Sequence, residues 1–507
     1  MPNATSGNEF DYVVIGAGSA GCALVRNLSD RTGAKILLLE AGGSDERIEI
    51  QDPTQYFGLW GSDVDWNYET VPQEFANNRS LRWPRGRVLG GSSSINGMVH
   101  LRGDRLDYDT WGYLGNYGWG FDEVFRTFSS MEGTSNGSTS GPLMPAVVAD
   151  KSPLSQIFID ACGELGINYN DNFNSGKLSG AGWNESTIYQ GKRQSSYRAF
   201  LHPIIDRPTI TIETNAIVQK LTLNSSNRID GITYIKDNKE HKVSIACELI
   251  LSAGAVDSPR LLLLSGIGAP EDLRAIGINP VVELPEVGRN LVDHMLIGVA
   301  FGSASKIDGR NPFVTESCAF IGSNPGVVGS NIQISFVNEK NYVEGYEAPE
   351  HCFTVIPGIV RPQSRGWIKL RSGDPTAAPL IDPCYLSETA DLDDFVSGIQ
   401  ISREIAKTKA FSPWTTGEVA PGPGCSSDAQ IRDYIRSVAT TWFHPVGTCR
   451  MGIDSGAVVD PELRVQGVTN LRIADASIMP TVVSCNTNPA SMMIGWKAGE
   501  LIAKSNN

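Results

Sequence analysis

Between residues 10 and 40 the hydrophobic pattern changes period twice. Phe10 to Ile15 (FDYVVI) is a short run rich in β-branched and aromatic residues. Apolar positions then recur at helical spacing through Leu24, Val25 and Leu28, and a second apolar run follows from Lys35 to Glu40 (KILLLE). Short apolar runs bounded by turn residues predict buried strands, and the spaced positions predict a helix packed between them. Two more strands are predicted further along: Glu248 to Leu251, running into Ser-Ala-Gly-Ala255, and Asn470 to Asp475 (NLRIAD). Ala490 to Lys504 (ASMMIGWKAGELIAK) reads as a helix. Pro489 is placed at its first position, where a missing N–H costs nothing.

The turn between the first strand and helix is Gly16-Ala-Gly18-Ser19-Ala20-Gly21. The first glycine permits the turn, the second lets a pyrophosphate approach the backbone, and the third lets helix and strand pack closely. Free N–H groups and the positive end of the helix dipole then face the phosphates. Glu40, with Ala41 after it, ends the second strand, where a carboxylate can bind ribose hydroxyls. The whole unit predicts dinucleotide binding. Small residues Ala253 and Gly254, then Asp475 and Ala476, and a helix start near Asn488 favour FAD over NAD. That helix start would oppose the negative charge of a reduced flavin.

Composition narrows the classes. The chain has 507 residues, 41% hydrophobic and 19% charged, enough for two or three domains. A net charge of −14 disfavours nucleic acid and anionic membrane partners. No uninterrupted apolar run reaches transmembrane length. The first basic residue is Arg26, so no secretory signal is expected. Nine dispersed Cys without a CxxC pair suggest reduced thiols, and the expected location is cytoplasmic. Six His without ligand spacing give no metal site.

Several separated motifs, in order, resemble the glucose–methanol–choline (GMC) flavoprotein oxidoreductase family. They are the glycine loop with Glu40, Asp65–Tyr68 (DWNY), Pro84–Met98 (PRGRVLGGSSSINGM) and Ser252–Gly268 (SAGAVDSPRLLLLSGIG). Val287–His294 (VGRNLVDH), Phe443–Gly452 (FHPVGTCRMG) and the Asp475 and Asn488 segments complete the set. The resemblance implies an α/β fold, α+β overall. A Rossmann-type FAD domain would comprise residues 1–150, 208–294 and 441–507. A substrate domain on an antiparallel sheet would take 151–207 and 295–440. Gly90, Gly91, Asn96, Gly97, Met98 and Val99 would line the flavin, and Val218 would offer its backbone to the adenine.

The resemblance also implies an alcohol-oxidising pair. His444 stands at the family's general base, and imidazole is poised to take a hydroxyl proton near neutrality. Asn488 matches a second position, where its amide would donate to the developing alkoxide; its other reading is a helix N-cap. Ile95 replaces the His that anchors FAD in choline oxidases, so noncovalent FAD is expected. Leu296 replaces their trimethylammonium-binding Glu, which disfavours choline. Trp442 and Phe443 would give the substrate an aromatic wall. The expected substrate is a neutral primary alcohol, aryl or heteroaryl included, with O2 the favoured acceptor. A dehydrogenase using a quinone or another acceptor, and a hydroxynitrile-lyase-like enzyme with non-redox FAD, remain open. So do the oligomeric state and the roles of His100 and His294.

Overall fold

The computed structural model describes residues 10–134, 139–306, 315–339, 345–347 and 349–505. Two sheets organise it. The first has the strand order Ile210–Glu213, Ile36–Leu39, Phe10–Ile15, Lys239–Leu251, Ile229–Lys236, Ile217–Leu223, with Leu471–Ile473 also pairing Lys239–Leu251. Its centre is parallel: Val13 registers with Leu37 on one side and Leu249 on the other, and Leu249 with Leu471. The Lys239–Leu251 strand shows how burial follows surroundings. Its first half pairs antiparallel with Ile229–Lys236 and is largely exposed, whereas Ile250 and Leu251 lie in the parallel part, fully buried. Parallel strands covered on both faces need such continuous apolar runs.

Helix Ser19–Arg31 packs along helix Thr487–Ser505. The two backbones touch because Gly495 has no side chain: a Cβ there would fall 2.0 Å from the Ala20 carbonyl oxygen. This contact brings both helix N-termini to the same end of the parallel sheet.

The second sheet is antiparallel, in the order Thr415–Ala420, Val299–Ser303, Cys352–Ile359, Ile332–Val337, Ser317–Ile321, Gly180–Trp183. Met295–Leu296 joins through Cys352–Ile359 and also pairs Thr440–Thr441. Helices Pro153–Glu164 and Thr389–Lys407 cover its outer face; Phe158 stacks on Phe336, 5.2 Å between ring centroids. Its other face looks across at the first sheet.

All strands of the first sheet fall within segments 1–150, 208–294 and 441–507. Those of the second fall in 151–207 and 295–440, except that Thr440–Thr441 straddles the edge. Trp367–Lys369 does not join it and pairs with Leu380–Asp382 as a separate ribbon. Among the described residues no helix is long and apolar enough to cross a membrane, and no cluster of metal-ligating side chains occurs.

Candidate active site

One cavity runs between the sheets, enclosing about 1910 Å³ of atom-free space with its open mouth included. Three helices of 13, 11 and 19 residues start at its wall: Ser19–Arg31, Gly254–Leu264 and Thr487–Ser505. Each contributes free N–H groups and a positive dipole end, so their convergence favours an extended anionic ligand. Gly91 (φ +53°) approaches so closely that a Cβ would lie 2.7 Å from Gly18 Cα. Glu40 accepts from the Ala17 and Gly42 N–H groups, both at 2.9 Å, and burial raises its pKa to about 7. Glu40 lines the cavity. Asp475 is occupied similarly, accepting from the Gly254 N–H at 2.9 Å, the Ser258 hydroxyl at 2.5 Å and the Ser477 N–H at 2.8 Å. The glycine cradle, the helix starts and the carboxylate fit a dinucleotide.

Gly16, Gly18, Ser19, Ala20, Glu40, Ala41, Gly91, Asn96, Gly97, Met98, Val99, Val218, Ala253, Gly254, Asp475, Ala476 and Asn488 all line this cavity. Three further residues expected at the cofactor do not line the cavity. Gly21 packs against the Gly16 carbonyl, where a Cβ would fall 2.0 Å from the oxygen. Gly90 donates its N–H to Ala17 O at 2.8 Å. Pro489 is buried as the third residue of a helix that begins at Thr487, not Ala490.

At the other end of the cavity stand His444, Trp442 and Phe443. Phe443 has a left-handed backbone (φ +64°), unusual for a bulky residue. It is held on both sides: its N–H donates to Thr441 Oγ1 at 2.7 Å, and its carbonyl accepts from Arg85 at 2.6 Å. The next residue is thereby turned into the cavity. Asp293 accepts the His444 backbone N–H at 2.7 Å, and also the Thr441 hydroxyl at 2.6 Å and the Tyr385 hydroxyl. Burial raises Asp293 to about 6, against the pull of these donors and Arg85.

His294 supplies the second grip. Its Nε2 lies 3.1 Å from Val360 O and its Nδ1 lies 3.0 Å from His444 Nδ1. Burial lowers His294 to about 3, so the ring is neutral. A carbonyl can only accept, so the single ring proton is on Nε2 and Nδ1 is bare. His444 must then donate from Nδ1 to it, which leaves His444 Nε2 with its lone pair. His444 is also held well below its ordinary pKa, by burial first, then by His294 and Arg85.

The amide that meets this lone pair is Asn486, whose Nδ2 lies 3.3 Å from His444 Nε2. The expected pairing of Asn488 with His444 is therefore corrected. Asn488 Oδ1 accepts from Ser19 Oγ at 2.7 Å, at the glycine-cradle end. Asn486 lies before the helix and Asn488 in its first turn, and the two amides meet different partners. Nor is Asn488 an N-cap, being the second helical residue. Asn486 precedes the helix, yet its buried Oδ1 has no partner and so does not cap it. A nearby loop is braced by Asp107, which accepts the Ser484 N–H at 2.7 Å and its hydroxyl at 2.5 Å. Sequence reading also missed Trp60, 4.8 Å from the Phe443 ring, and Gln333 and Ser335 on the opposite wall.

Comparison with known proteins agrees with the site. Family models described as GMC oxidoreductase match residues 10–296 and 362–495. The chain belongs to the GMC oxidoreductase family. Among its relatives, an alcohol dehydrogenase [acceptor] from Pseudomonas putida is 40% identical, over 98% of this chain and 96% of that protein. A mitochondrial choline dehydrogenase from Mus musculus is 37% identical, over 98% and 89%. Among solved structures, pyridoxine 4-oxidase from Mesorbium loti aligns with a TM-score of 0.92 at 31% identity, covering 97% of this chain and 99% of that one.

As a GMC oxidoreductase the chain is an FAD-dependent enzyme acting on CH–OH donors, with a Rossmann-type FAD domain and a sheet-based substrate domain. Ile95 and Leu296 are both buried. Ile95 lies in the cavity wall, and Leu296 packs with Val337, Ile356 and Trp442. His100 does not line the cavity: its Nε2 lies 3.0 Å from Glu132, which Arg102 also binds.

Proposed function

We propose that this enzyme oxidises a neutral primary alcohol borne on an aryl or heteroaryl ring to the aldehyde, with noncovalent FAD and O2 as acceptor. The observation that carries the reading is the bare Nε2 of His444, facing the cavity beside the Asn486 amide. When bound, FAD supplies the hydride acceptor. The chain's residues supply the rest. His444 Nε2 takes the hydroxyl proton, and general-base catalysis of this kind is worth about 10²–10⁴ in rate. Asn486 Nδ2 donates to the alkoxide oxygen, a contact that strengthens as charge develops there. Apolar Leu296 supports a neutral substrate over choline, and the Trp60, Trp442 and Phe443 rings can stack on an aromatic one.

Ile95 supports noncovalent FAD: among the described lining residues there is no Cys, and His444 is the sole His. The Pseudomonas putida relative, named for an unspecified acceptor, favours as second reading a dehydrogenase that bypasses oxygen. We also assign the enzyme to the cytoplasm: Cys22, Cys162, Cys318, Cys449 and Cys485 are buried without disulfides, and burial keeps these thiols protonated.

The test is anaerobic titration of the purified yellow enzyme with benzylic, furanic, aliphatic and choline alcohols. Bleaching by the ring-bearing alcohols is expected, with colour returning quickly in air. Bleaching by choline alone, or by none of the panel, would overturn the reading. Persistent bleaching in air would select the dehydrogenase.

A further inference from the structure

Side chains of the Ile332–Val337 strand alternate between two environments. Ile332, Ile334 and Phe336 enter the core beneath the sheet, whereas Gln333 and Ser335 face the cavity that holds His444. Gln333 registers with Gly358 on the next strand, and Ser335 with Ile356. The Trp442 ring lies directly on Gly358, where a Cβ would sit 2.1 Å from it. That same ring stacks on His444, with centroids 5.9 Å apart. Gln333 and Ser335 are therefore placed about one ring's breadth from the base, on the wall that meets the far end of a substrate.

Both residues are buried, 1% and 2% exposed, yet Gln333 Oε1 and Ser335 Oγ have no hydrogen-bond partner. Buried oxygens are nearly always paired, because they have given up hydration. A cavity wall keeps them unpaired at least cost when a ligand completes them. Their surroundings are uncharged: Leu296, Val337, Ile356 and Trp442 form one apolar cluster beside them.

We propose that Gln333 and Ser335 form a subsite for a hydrogen-bond donor on the substrate ring, remote from the carbinol. The Gln333 amide oxygen can only accept, and the Ser335 hydroxyl can accept as well as donate, so a ring hydroxyl or N–H matches both. The substrate class becomes hydroxylated aryl or heteroaryl methanols and their N–H counterparts. A trimethylammonium group has no donor to offer. This assignment rests on the aryl-alcohol reading above.

The test uses the FAD-loaded enzyme in two ways. First, toluene and the three cresols, which lack a carbinol, are titrated against the oxidised flavin spectrum. The best cresol should bind about 10- to 100-fold more tightly than toluene. Second, anaerobic flavin reduction is compared for benzyl alcohol and the three hydroxybenzyl alcohols, with the same preference expected in kcat/KM. In Gln333→Leu with Ser335→Ala the preference should fall towards one, with FAD content and thermal midpoint confirming an intact fold. Equal binding of toluene and all three cresols by the wild type would overturn the subsite, as would a preference that survives in the double variant. If no alcohol bleaches the flavin, the oxidation reading fails separately, while the cresol–toluene comparison still decides the subsite.

Discussion

The two ends of the cavity are built from different materials. The glycine-cradle end is mostly backbone: Gly18 against Gly91, three helix starts, and carboxylates that tie loops together through N–H groups. The His444 end is made of side chains. His294 and Asn486 close on one imidazole, while Asp293, Tyr385 and Arg85 hold the backbone that carries it. Backbone sites tolerate side-chain substitution where a Cβ fits and fail where it does not. A side-chain site depends on the orientation of each donor, and one wrong proton disables it. Variants at the first end should therefore change FAD retention, and variants at the second should change the rate of reduction.

The largest effect expected is that of His444→Ala. The limiting rate of anaerobic flavin reduction should fall by about 10²–10⁴-fold, with FAD still bound. A rate close to wild type would erase the division between the two ends. Next come the two asparagines. Asn486→Ala should slow reduction by about 10²–10³-fold, as the loss of a preorganised donor does elsewhere. Asn488→Ala should chiefly weaken FAD retention, because its partner is Ser19. The reverse pattern in stopped-flow and cofactor-release measurements would return the catalytic role to Asn488.

The smallest effect concerns acid stability. His294 has a folded pKa of about 3, against ~6.5 when unfolded, so the unfolded chain binds its proton first as pH falls. Its contribution is complete above ~6.5 and is lost progressively down to about 3. Between pH 7 and 5 the wild type should lose roughly 2 kcal/mol from this group alone. His294→Asn should lack that slope in denaturant melts while still offering His444 an acceptor. Parallel slopes for the two proteins would show that His294 is not held neutral by the fold.

The sequence was legible where chemistry is contiguous. The Gly16–Gly21 turn, Glu40 and the strand–helix–strand pattern lie within thirty-odd residues, and local period alone placed them. His444 was legible because its motif is continuous. The choice between Asn486 and Asn488 was not, since it depends on where a helix starts, and Pro489 suits more than one position in the first turn. His294 was visible as half of an Asp-His pair, but its partner is 150 residues away. Gln333 and Ser335 could be read as alternation within a strand, yet which face meets the cavity is a property of the assembled sheets.

The central claim is that His294 fixes the tautomer of His444 so that Nε2 is the base. Nitrogen-15 NMR of the enzyme labelled at histidine tests it directly, with His444→Ala identifying the resonance. At neutral pH the account predicts a His444 with its proton on Nδ1 and an unprotonated Nε2. It further predicts the same state in His294→Asn and its loss in His294→Leu. A wild-type His444 protonated on Nε2, or on both nitrogens, would contradict the account.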